Sequence, residues 1–220
     1  MTLPPGQRAV HGFPRFGTHL HQPPPAVPAE PVIEIAGAVT EPVAVPLAEL
    51  GALPRRELTA DFHCVAGWSA TGLRWEGVAF ATFYSRFIEP AVAVTHVGFV
   101  GLDGYRSVAV VDDLLAEDVL IADQLDGRPL DGDHGAPVRL VSPGQYGYVS
   151  TKHLCRIELH VGEPADLYPS PVDRLLAAHP RSRVWQEERH RHVPGRLLRL
   201  PYRLLIPPIR FLSARGSRSR

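Results

Sequence analysis

Lysine is almost missing from this chain. Of its 23 basic residues, Lys152 is the single lysine and the others are arginines. An ammonium is a compact point charge and a guanidinium a wide planar fork, so a site that needs a small cation beside a phosphate or oxyanion cannot readily use arginine. A leftover surface lysine is the alternative reading. We predict that Lys152 binds a ligand, because its neighbours support this.

Cysteine is also scarce, and the pattern excludes two site classes. Cys64 and Cys155 lie far apart without CxxC spacing, so neither a zinc site nor a disulfide framework is indicated. Cys155 alternates with charged residues in THLCRIELHV, which predicts a strand with this cysteine packed on its apolar face. Two unpaired cysteines favour a reducing compartment.

Long apolar runs and an excess of charge of one sign are absent too. No stretch approaches the roughly 20 apolar residues of a membrane span, and the first thirty residues contain neither a signal-type apolar region nor a twin-arginine pair. We therefore predict a cytoplasmic protein. The formal net charge is +0, and no stripe of basic and aromatic residues occurs, so nucleic acid is not predicted as a partner.

The segment HGAPVRLVSPGQYGYVSTK, residues 134–152, concentrates polar donors and glycines. Besides Lys152 it contains His134, Arg139 and Ser150, with Gly144 and Gly147 between them. Glycines allow close backbone approach, and such alternation is typical of a loop around an anionic group. Upstream, Cys64 ends an alternating run that predicts a strand leading into a loop, where its thiol would face a pocket.

The order of the remaining segments predicts an α+β fold with a mostly β, mixed-sheet core. Strands are predicted in PVIEIAG, RELTADFHCV, VAVTHVGFV, YRSVAVV, VLIADQL, PVRLV and HLCRIELHV, with a helix in AFATFYSRFI and turns at Asp103-Gly104 and Asp126-Gly127. We predict three parts: an N-terminal strap with a proline-rich connector (1–31), a catalytic domain (32–165) and a C-terminal helical tail (166–220). The size suits one domain with tails.

The C-terminal tail is basic and apolar. From Arg196 to Arg220 it contains seven arginines and no acidic residue, mixed with leucine, isoleucine and phenylalanine. Such a segment docks on a partner or on an anionic membrane surface, or packs on its own domain. Pro201, Pro207 and Pro208 are expected to interrupt any long helix. The preceding RSRVWQEERHRH, residues 181–192, is predicted to be a solvated helix.

Several of these motifs, taken in order, resemble one enzyme family. They are Cys64 followed by Trp68-Ser69, then His-Gly-x-Pro-x-Arg at 134–139, Pro143-Gly144, Tyr146-Gly147 and Ser150-x-Lys152. The chain resembles the molybdopterin-binding domain of the sulfite oxidase and methionine sulfoxide reductase superfamily. The resemblance implies the molybdenum-cofactor fold of the sulfite oxidase type.

Site residues follow from this resemblance, position by position. It implies that Cys64 ligates molybdenum, and that His134, Arg139, Ser150 and Lys152 hold the molybdopterin. An early motif, HGFPRFGT, resembles a cofactor contact of the reductase branch and adds two residues, His11 and Arg15. That branch begins the motif with asparagine, so His11 and Arg15 depart from its pattern.

The resemblance also implies a reaction, namely two-electron transfer of an oxygen atom. Sulfite oxidases have arginines shortly after the cysteine, whereas the first arginine after Cys64 is Arg74. Trp68 resembles the reductase branch, which favours reduction of a small-molecule sulfoxide or similar oxide, although ordinary core packing explains this tryptophan equally well. Sulfite oxidation is one alternative, and a non-catalytic binding protein on the same scaffold is another; retention of Cys64 argues against the latter.

No electron-transfer motif accompanies the domain. The sequence has no CxxCH, no His-Pro-Gly-Gly and no GxGxxG after a strand. We therefore expect a separate electron-transfer partner, a haem or flavin protein, and the basic tail is a candidate for docking it.

Overall fold

Two mixed β-sheets carry most of the regular structure. A computed structural model describes residues 2–17, 21–165, 170–171, 174 and 177–218. The strands are β1 (Arg8–Ala9), β2 (Val32–Gly37), β3 (Val43–Pro46), β4 (Arg55–His63), β5 (Trp68–Ala79), β6 (His96–Gly101), β7 (Arg106–Val110), β8 (Leu120–Leu125), β9 (Arg128–Pro129), β10 (Arg139–Val141) and β11 (Leu154–His160). The helices are α1 (Phe80–Phe87), α2 (Val111–Leu114) and α3 (Gly195–Arg218), with a 3₁₀ helix at Leu47–Ala52.

The first sheet is built around the long strand β5. Strand β4 pairs with it antiparallel, β1 pairs parallel with its start, and β8 pairs antiparallel with its end. Strands β10 and β9 then extend the sheet through β8. The N-terminal segment is thus hydrogen-bonded into this sheet.

The second sheet has the order β3-β2-β11-β6-β7 and packs on the main apolar core. Strand β11 pairs parallel with β2 and antiparallel with β6. Alternate residues of these strands, such as Ile33, Ile35, Ile157 and Leu159, are buried. This alternation is the pattern expected of a sheet with one face on a core.

The predicted α+β fold and most predicted elements are confirmed, including helix α1 and the turns at Asp103-Gly104 and Asp126-Gly127. The longest strand, β5, was not predicted. Its sequence contains Gly72 and Gly77, residues that weaken strand signals. Gly77 is needed because a Cβ there would overlap the backbone of Ile121 on β8.

Two predictions about the C-terminal part are wrong. Residues 181–192 form turns and isolated bridges, in which Glu188 accepts hydrogen bonds from the backbone and side chain of Arg183, so no helix forms there. Helix α3 runs through all three prolines. Pro201, Pro207 and Pro208 are exposed, and the carbonyls that they leave unpaired four residues earlier belong to residues with access to water.

The predicted position of Cys155 also needs correction. Strand β11 has a bulge between Leu154 and Arg156, and the extra residue shifts the alternation. Leu154 is buried, whereas Cys155 is only partly buried and its thiol points to the carbonyl of Val100. Cys155 is therefore at the margin of the core. Within the described residues, no helix is long and apolar enough to cross a membrane.

Candidate functional site

Cys64 lies in the tight turn that joins β4 to β5. Its N–H donates to the carbonyl of Trp68 and its carbonyl accepts from Gly67, each at 2.9 Å. The residue is buried, and burial raises the pKa of the thiol to about 12, while the charges of Arg189 and Lys152 act in the opposite direction. A thiol in this setting is protonated at neutral pH unless a metal binds it, because coordination displaces the proton.

Lys152 lies in a cluster of three cations. Burial, together with the charges of Arg139 and Arg15, lowers the pKa of its ammonium to about 7, while Asp133 and Asp103 act in the opposite direction. Nζ donates to the carbonyl of Asp133 at 2.6 Å. Like charges held together out of water are unfavourable unless an anion compensates them, so this cluster fits an anionic ligand.

Arg139 is fully buried in an aromatic box. Its guanidinium lies 5.2 Å from the ring centroid of Trp75, 5.5 Å from Phe62 and 5.8 Å from Phe13. It donates to the carbonyls of His134, Leu140 and Ser150 at 2.9 to 3.3 Å, and burial lowers its pKa to about 9. With every nitrogen directed at a backbone carbonyl, Arg139 shapes the 134–152 loop and supplies charge to it.

His134 and Ser150 both have protein partners for their side chains. The ring nitrogens of His134 lie 2.8 Å from Asp131 and 2.9 Å from the carbonyl of Phe13, whose ring stacks on the imidazole. Ser150 Oγ accepts from the N–H of Ser142 at 3.1 Å. His134 therefore connects the loop to its surroundings, whereas Ser150 joins two parts of the loop to each other.

Glycine is required at one point of this loop. Gly135 has φ +112°, and a Cβ there would come within 3.1 to 3.2 Å of Lys152 and Arg139. A side chain would be strained in this backbone conformation and would also crowd the two cations. The glycine thus lets the loop lie directly against the charged cluster.

The two N-terminal residues have different surroundings. Arg15 lies 3.4 Å from Asp133 and donates to the carbonyl of Gln22 at 2.6 Å. It also borders a cavity of about 160 Å³, which is lined by Arg15, Gln22, Pro23, Pro24, Pro25, Asp103 and His153. Because Arg15 influences the pKa of Lys152, the structure brings it to the cation cluster. His11 is exposed, and it is not brought into this group.

Arg189, a fully buried cation near Cys64, was not predicted from the sequence. Nη1 donates to the carbonyl of Val65, the residue after Cys64, and the guanidinium lies 5.2 Å from the ring centroid of Tyr146. Among the described residues, Nε and Nη2 have no hydrogen-bond partner; Nη2 is 3.6 Å from Glu187, an ion pair longer than a hydrogen bond. Arg189 belongs to the charged run that was predicted to be solvated, so its sequence gave no sign of burial.

A buried polar chain connects the start of the protein to the Cys64 turn. Gln7 donates to the carbonyl of Cys64 at 3.1 Å, Ser69 donates to Gln7 at 3.0 Å, and His63 contacts Ser69 at 2.8 Å. Burial lowers the pKa of His63. These hydrogen bonds hold the turn through the backbone carbonyl of Cys64, and they do not involve its thiol.

Helix α3 covers this region from the outside. Tyr202 and Ile206, on the inner side of the helix, pack against the apolar cluster that contains Cys64 and Trp68. Tyr202 also contacts His190, and the carbonyl of Ser213 accepts from Arg15 at 3.3 Å. The tail predicted as a docking element therefore also forms the roof of the site.

The residues present fit a molybdopterin-bound metal. Cys64 offers a thiolate, a soft metal ligand, and Lys152 and Arg15 offer charge to a phosphate. The indole N–H of Trp68 and two nitrogens of Arg189 are buried donors without hydrogen-bond partners in the part of the chain that the structure describes. Since buried donors normally have a partner, these suit oxygen atoms on a bound group.

Comparison with known proteins agrees with this geometry. The profile of the oxidoreductase molybdopterin-binding domain matches residues 21–168. The chain is similar to the uncharacterized oxidoreductase YuiH of Bacillus subtilis, 32% identical over 160 residues, which are 71% of this chain and 76% of YuiH. It is also similar to the protein-methionine-sulfoxide reductase catalytic subunit MsrP of Xanthomonas campestris pv. campestris, 27% identical over 216 residues, 85% of this chain and 66% of MsrP.

A solved structure gives the fold. The sulfane dehydrogenase SoxCD from Paracoccus pantotrophus superimposes with a TM-score of 0.57 at 19% identity, over 70% of this chain and 44% of that chain. The chain thus spans less than half of this neighbour. The predictions of the sulfite-oxidase-type fold, the cofactor and the enzyme class are confirmed, and the chain belongs to the family of oxidoreductase molybdopterin-binding domains.

Proposed function

We propose that this molybdopterin oxidoreductase reduces a sulfoxide or a similar small oxide by two-electron oxygen-atom transfer. The observation that carries the proposal is the position of Cys64, a buried thiol in a β-turn that is close enough to two cations, Arg189 and Lys152, for their charges to lower its pKa. MsrP, named as a protein-methionine-sulfoxide reductase, supports a sulfoxide as substrate.

We propose that the cation cluster binds the anionic end of the cofactor. Lys152 and Arg15 offer N–H groups and charge, and Arg139 holds the loop carbonyls in place. An anion beside Lys152 would favour its charged form and raise its pKa again. His134 and Ser150 act within the same loop, whereas the exposed His11 is the weakest member of the predicted set.

When bound, the molybdenum cofactor supplies the two-electron redox change and the oxygen-accepting centre. The protein contributes the environment. The thiol of Cys64 would lose its proton if it bound the metal, and the charges of Arg189 and Lys152 would favour the resulting thiolate. The roof formed by Tyr202 and Ile206 keeps bulk water away from this cluster.

The choice between a neutral oxide and an anionic substrate depends on two side chains. Trp68 contributes an apolar wall with one free N–H, which suits a neutral sulfoxide. Arg189 is the observation that favours the second candidate, sulfite-type oxidation, because a buried guanidinium with open nitrogens also suits an oxyanion. Competition between the two substrates in one assay separates these candidates.

We further propose that electrons come from a separate haem or flavin protein, and that the protein acts in the cytoplasm with peripheral contact to the membrane. Helix α3, with its six arginines, is the proposed docking element. Deleting the whole tail would also remove the roof over Cys64, so substitutions on the outer side of the helix test docking more cleanly.

The decisive experiment is molybdenum analysis of protein purified from a host that makes the cofactor. The native protein and Cys155→Ser are expected to hold molybdenum and to reduce methionine sulfoxide with an artificial electron donor. Cys64→Ser should lose more than about 100-fold in activity, since changes in the outer shell of a metal already cost 10- to 100-fold. Native protein without molybdenum would instead support the non-catalytic binding protein.

A further inference from the structure

Helix α3 presents a row of large apolar side chains to solvent. The outer row consists of Leu197, Leu200, Leu204, Leu205 and Phe211, which are between 49% and 70% exposed. Positions 197, 200, 204 and 211 are three, four and seven residues apart, so they share one side of the helix. Scattered exposed leucines are ordinary, but a contiguous apolar row marks a surface that contacts something.

The charge beside this outer row has a single sign. The helix contains six arginines and no acidic residue. Arg196, Arg203 and Arg210 follow one another at seven-residue spacing, which sets them along one margin of the row. Arg196 and Arg210 are exposed, whereas Arg199 turns inward and pairs with Glu187 at 2.6 Å. The surface thus combines apolar side chains with a basic margin.

We propose that the outer side of helix α3 binds the surface of an anionic phospholipid membrane, with the leucines and Phe211 in the interfacial region and the arginines at the headgroups. This combination of an apolar row and arginines is what interfacial helices use. Anionic headgroups complement the excess of arginine. A second helix fits less well, because Pro201, Pro207 and Pro208 lie exposed among these leucines and disturb the regular seam of a coiled coil.

Membrane contact through helix α3 would also place the site near the membrane, because the inner side of the helix packs on the site. This consequence rests on the proposed function. Tyr202 and Ile206 pack on the cluster that contains Cys64. Only the thickness of one helix, about 10 Å, therefore separates this cluster from the proposed membrane surface. Membrane binding would therefore hold the site close to the membrane plane.

The test is co-sedimentation of the full-length, cofactor-loaded protein with vesicles. One set contains phosphatidylcholine with phosphatidylglycerol, and the other contains phosphatidylcholine alone. We expect binding to the anionic vesicles that weakens with salt, and much weaker binding to the neutral ones. Each arginine near an anionic surface contributes a factor of about five, so Arg196→Gln/Arg210→Gln should weaken binding roughly thirty-fold.

Matched variants separate the helix from general surface effects. Leu200→Glu/Leu204→Glu should abolish binding, whereas Val92→Glu/Val161→Glu, which alters two equally exposed apolar residues on other surfaces, should leave it unchanged. Arg86→Gln/Arg128→Gln removes the same charge from exposed positions elsewhere and should have little effect. Circular dichroism and molybdenum content should stay at native values in all four.

Two results would overturn the membrane proposal. One is native protein that does not sediment with anionic vesicles. The other is a dimer, seen by light scattering, that Leu200→Glu/Leu204→Glu dissociates, because a second copy would then cover the row. Vesicle binding does not depend on turnover, so a protein that binds vesicles but lacks molybdenum would sink the proposed function and leave this inference standing.

Discussion

The two buried clusters of this protein differ in what they enclose. The first cluster, between the sheets and helix α1, is formed by apolar side chains such as Phe83, Phe99 and Ile157. The second, around Cys64 and Trp68, adjoins the buried guanidinium groups of Arg139 and Arg189 and contains an indole N–H without a partner. Both exclude water, but within the described residues only the second contains a buried donor without a hydrogen-bond partner and adjoins buried charges.

This difference separates the first cluster, whose residues stabilise the fold, from the second, whose polar groups suit a bound ligand. In an apolar cluster, each buried apolar atom stabilises the folded state. Unpartnered donors and crowded cations cost free energy, and proteins retain such arrangements where function requires them. The four predictions below change one cluster at a time, and they are arranged from the largest expected effect on stability to the smallest.

The largest loss of stability is expected in the first cluster. Phe99→Ala removes a fully buried ring whose centroid lies 5.7 Å from that of the Phe80 ring. The change should lower the free energy of unfolding by about 3–5 kcal/mol. The protein that still folds should hold a normal share of molybdenum per molecule. If Phe99→Ala does not fold, Phe99→Leu should cost less than Phe99→Ala, because it leaves a smaller cavity, and can serve the same comparison. Selective loss of the metal in either variant would contradict the separation of the clusters.

Arg139→Met should affect both stability and the cofactor. Removing the guanidinium leaves the carbonyls of His134 and Ser150 unpaired, at about 1–3 kcal/mol for each, but it also relieves the cost of burying a charge. We therefore expect chemical denaturation to show a free energy of unfolding lower by about 1–3 kcal/mol. The folded variant should also hold less molybdenum per molecule than the native protein. Arg86→Met is the control, since Arg86 also lies over a ring, that of Phe87, but is exposed. Equal effects of the two variants would argue against a role for the buried charge.

The sequence predicted the parts of the fold and site that short segments determine. Hairpin turns such as Asp103-Gly104 and the end of β4 at Cys64 depend on local chemistry, so their residues were sufficient. Lys152 and Arg15 do meet at one cluster, as predicted for cofactor-binding residues, although their contact with a cofactor remains a prediction.

Long-range contacts explain the two features that the sequence did not predict, the burial of Arg189 and the continuous helix α3. Arg189 is buried because the chain returns after the last strand and inserts it beside Val65, 124 residues earlier. Helix α3 continues through its prolines because its inner side packs on the Cys64 cluster, and tertiary packing outweighs propensity. The burial of Arg189 has no periodic signal in the sequence.

The third prediction concerns Lys152 and pH in the cofactor-free protein. Its folded-state pKa is lowered to about 7, below the ordinary value of 10.5, so between these values the unfolded chain holds the extra proton. Stability from this group should therefore rise with pH from about 7 towards 10. The melting temperature of the native protein should rise more, or fall less, over this range than that of Lys152→Met. Inorganic phosphate should reduce this difference because it favours the charged lysine. Identical pH profiles in native protein and Lys152→Met would mean that Lys152 is not held among cations.

The smallest change in stability is expected for Trp68→Phe. Losing part of the buried ring costs packing, but the variant also removes an unpartnered N–H whose burial is unfavourable by about 1–3 kcal/mol, so the two effects should nearly cancel. Trp75→Phe removes a similar volume from the same cluster and should cost more. In the loaded enzyme, Trp68→Phe should raise KM for methionine sulfoxide several-fold if the indole donates to the bound oxide. An unchanged KM together with a large loss of stability would make Trp68 an ordinary core residue, and the second cluster would then resemble the first at this position.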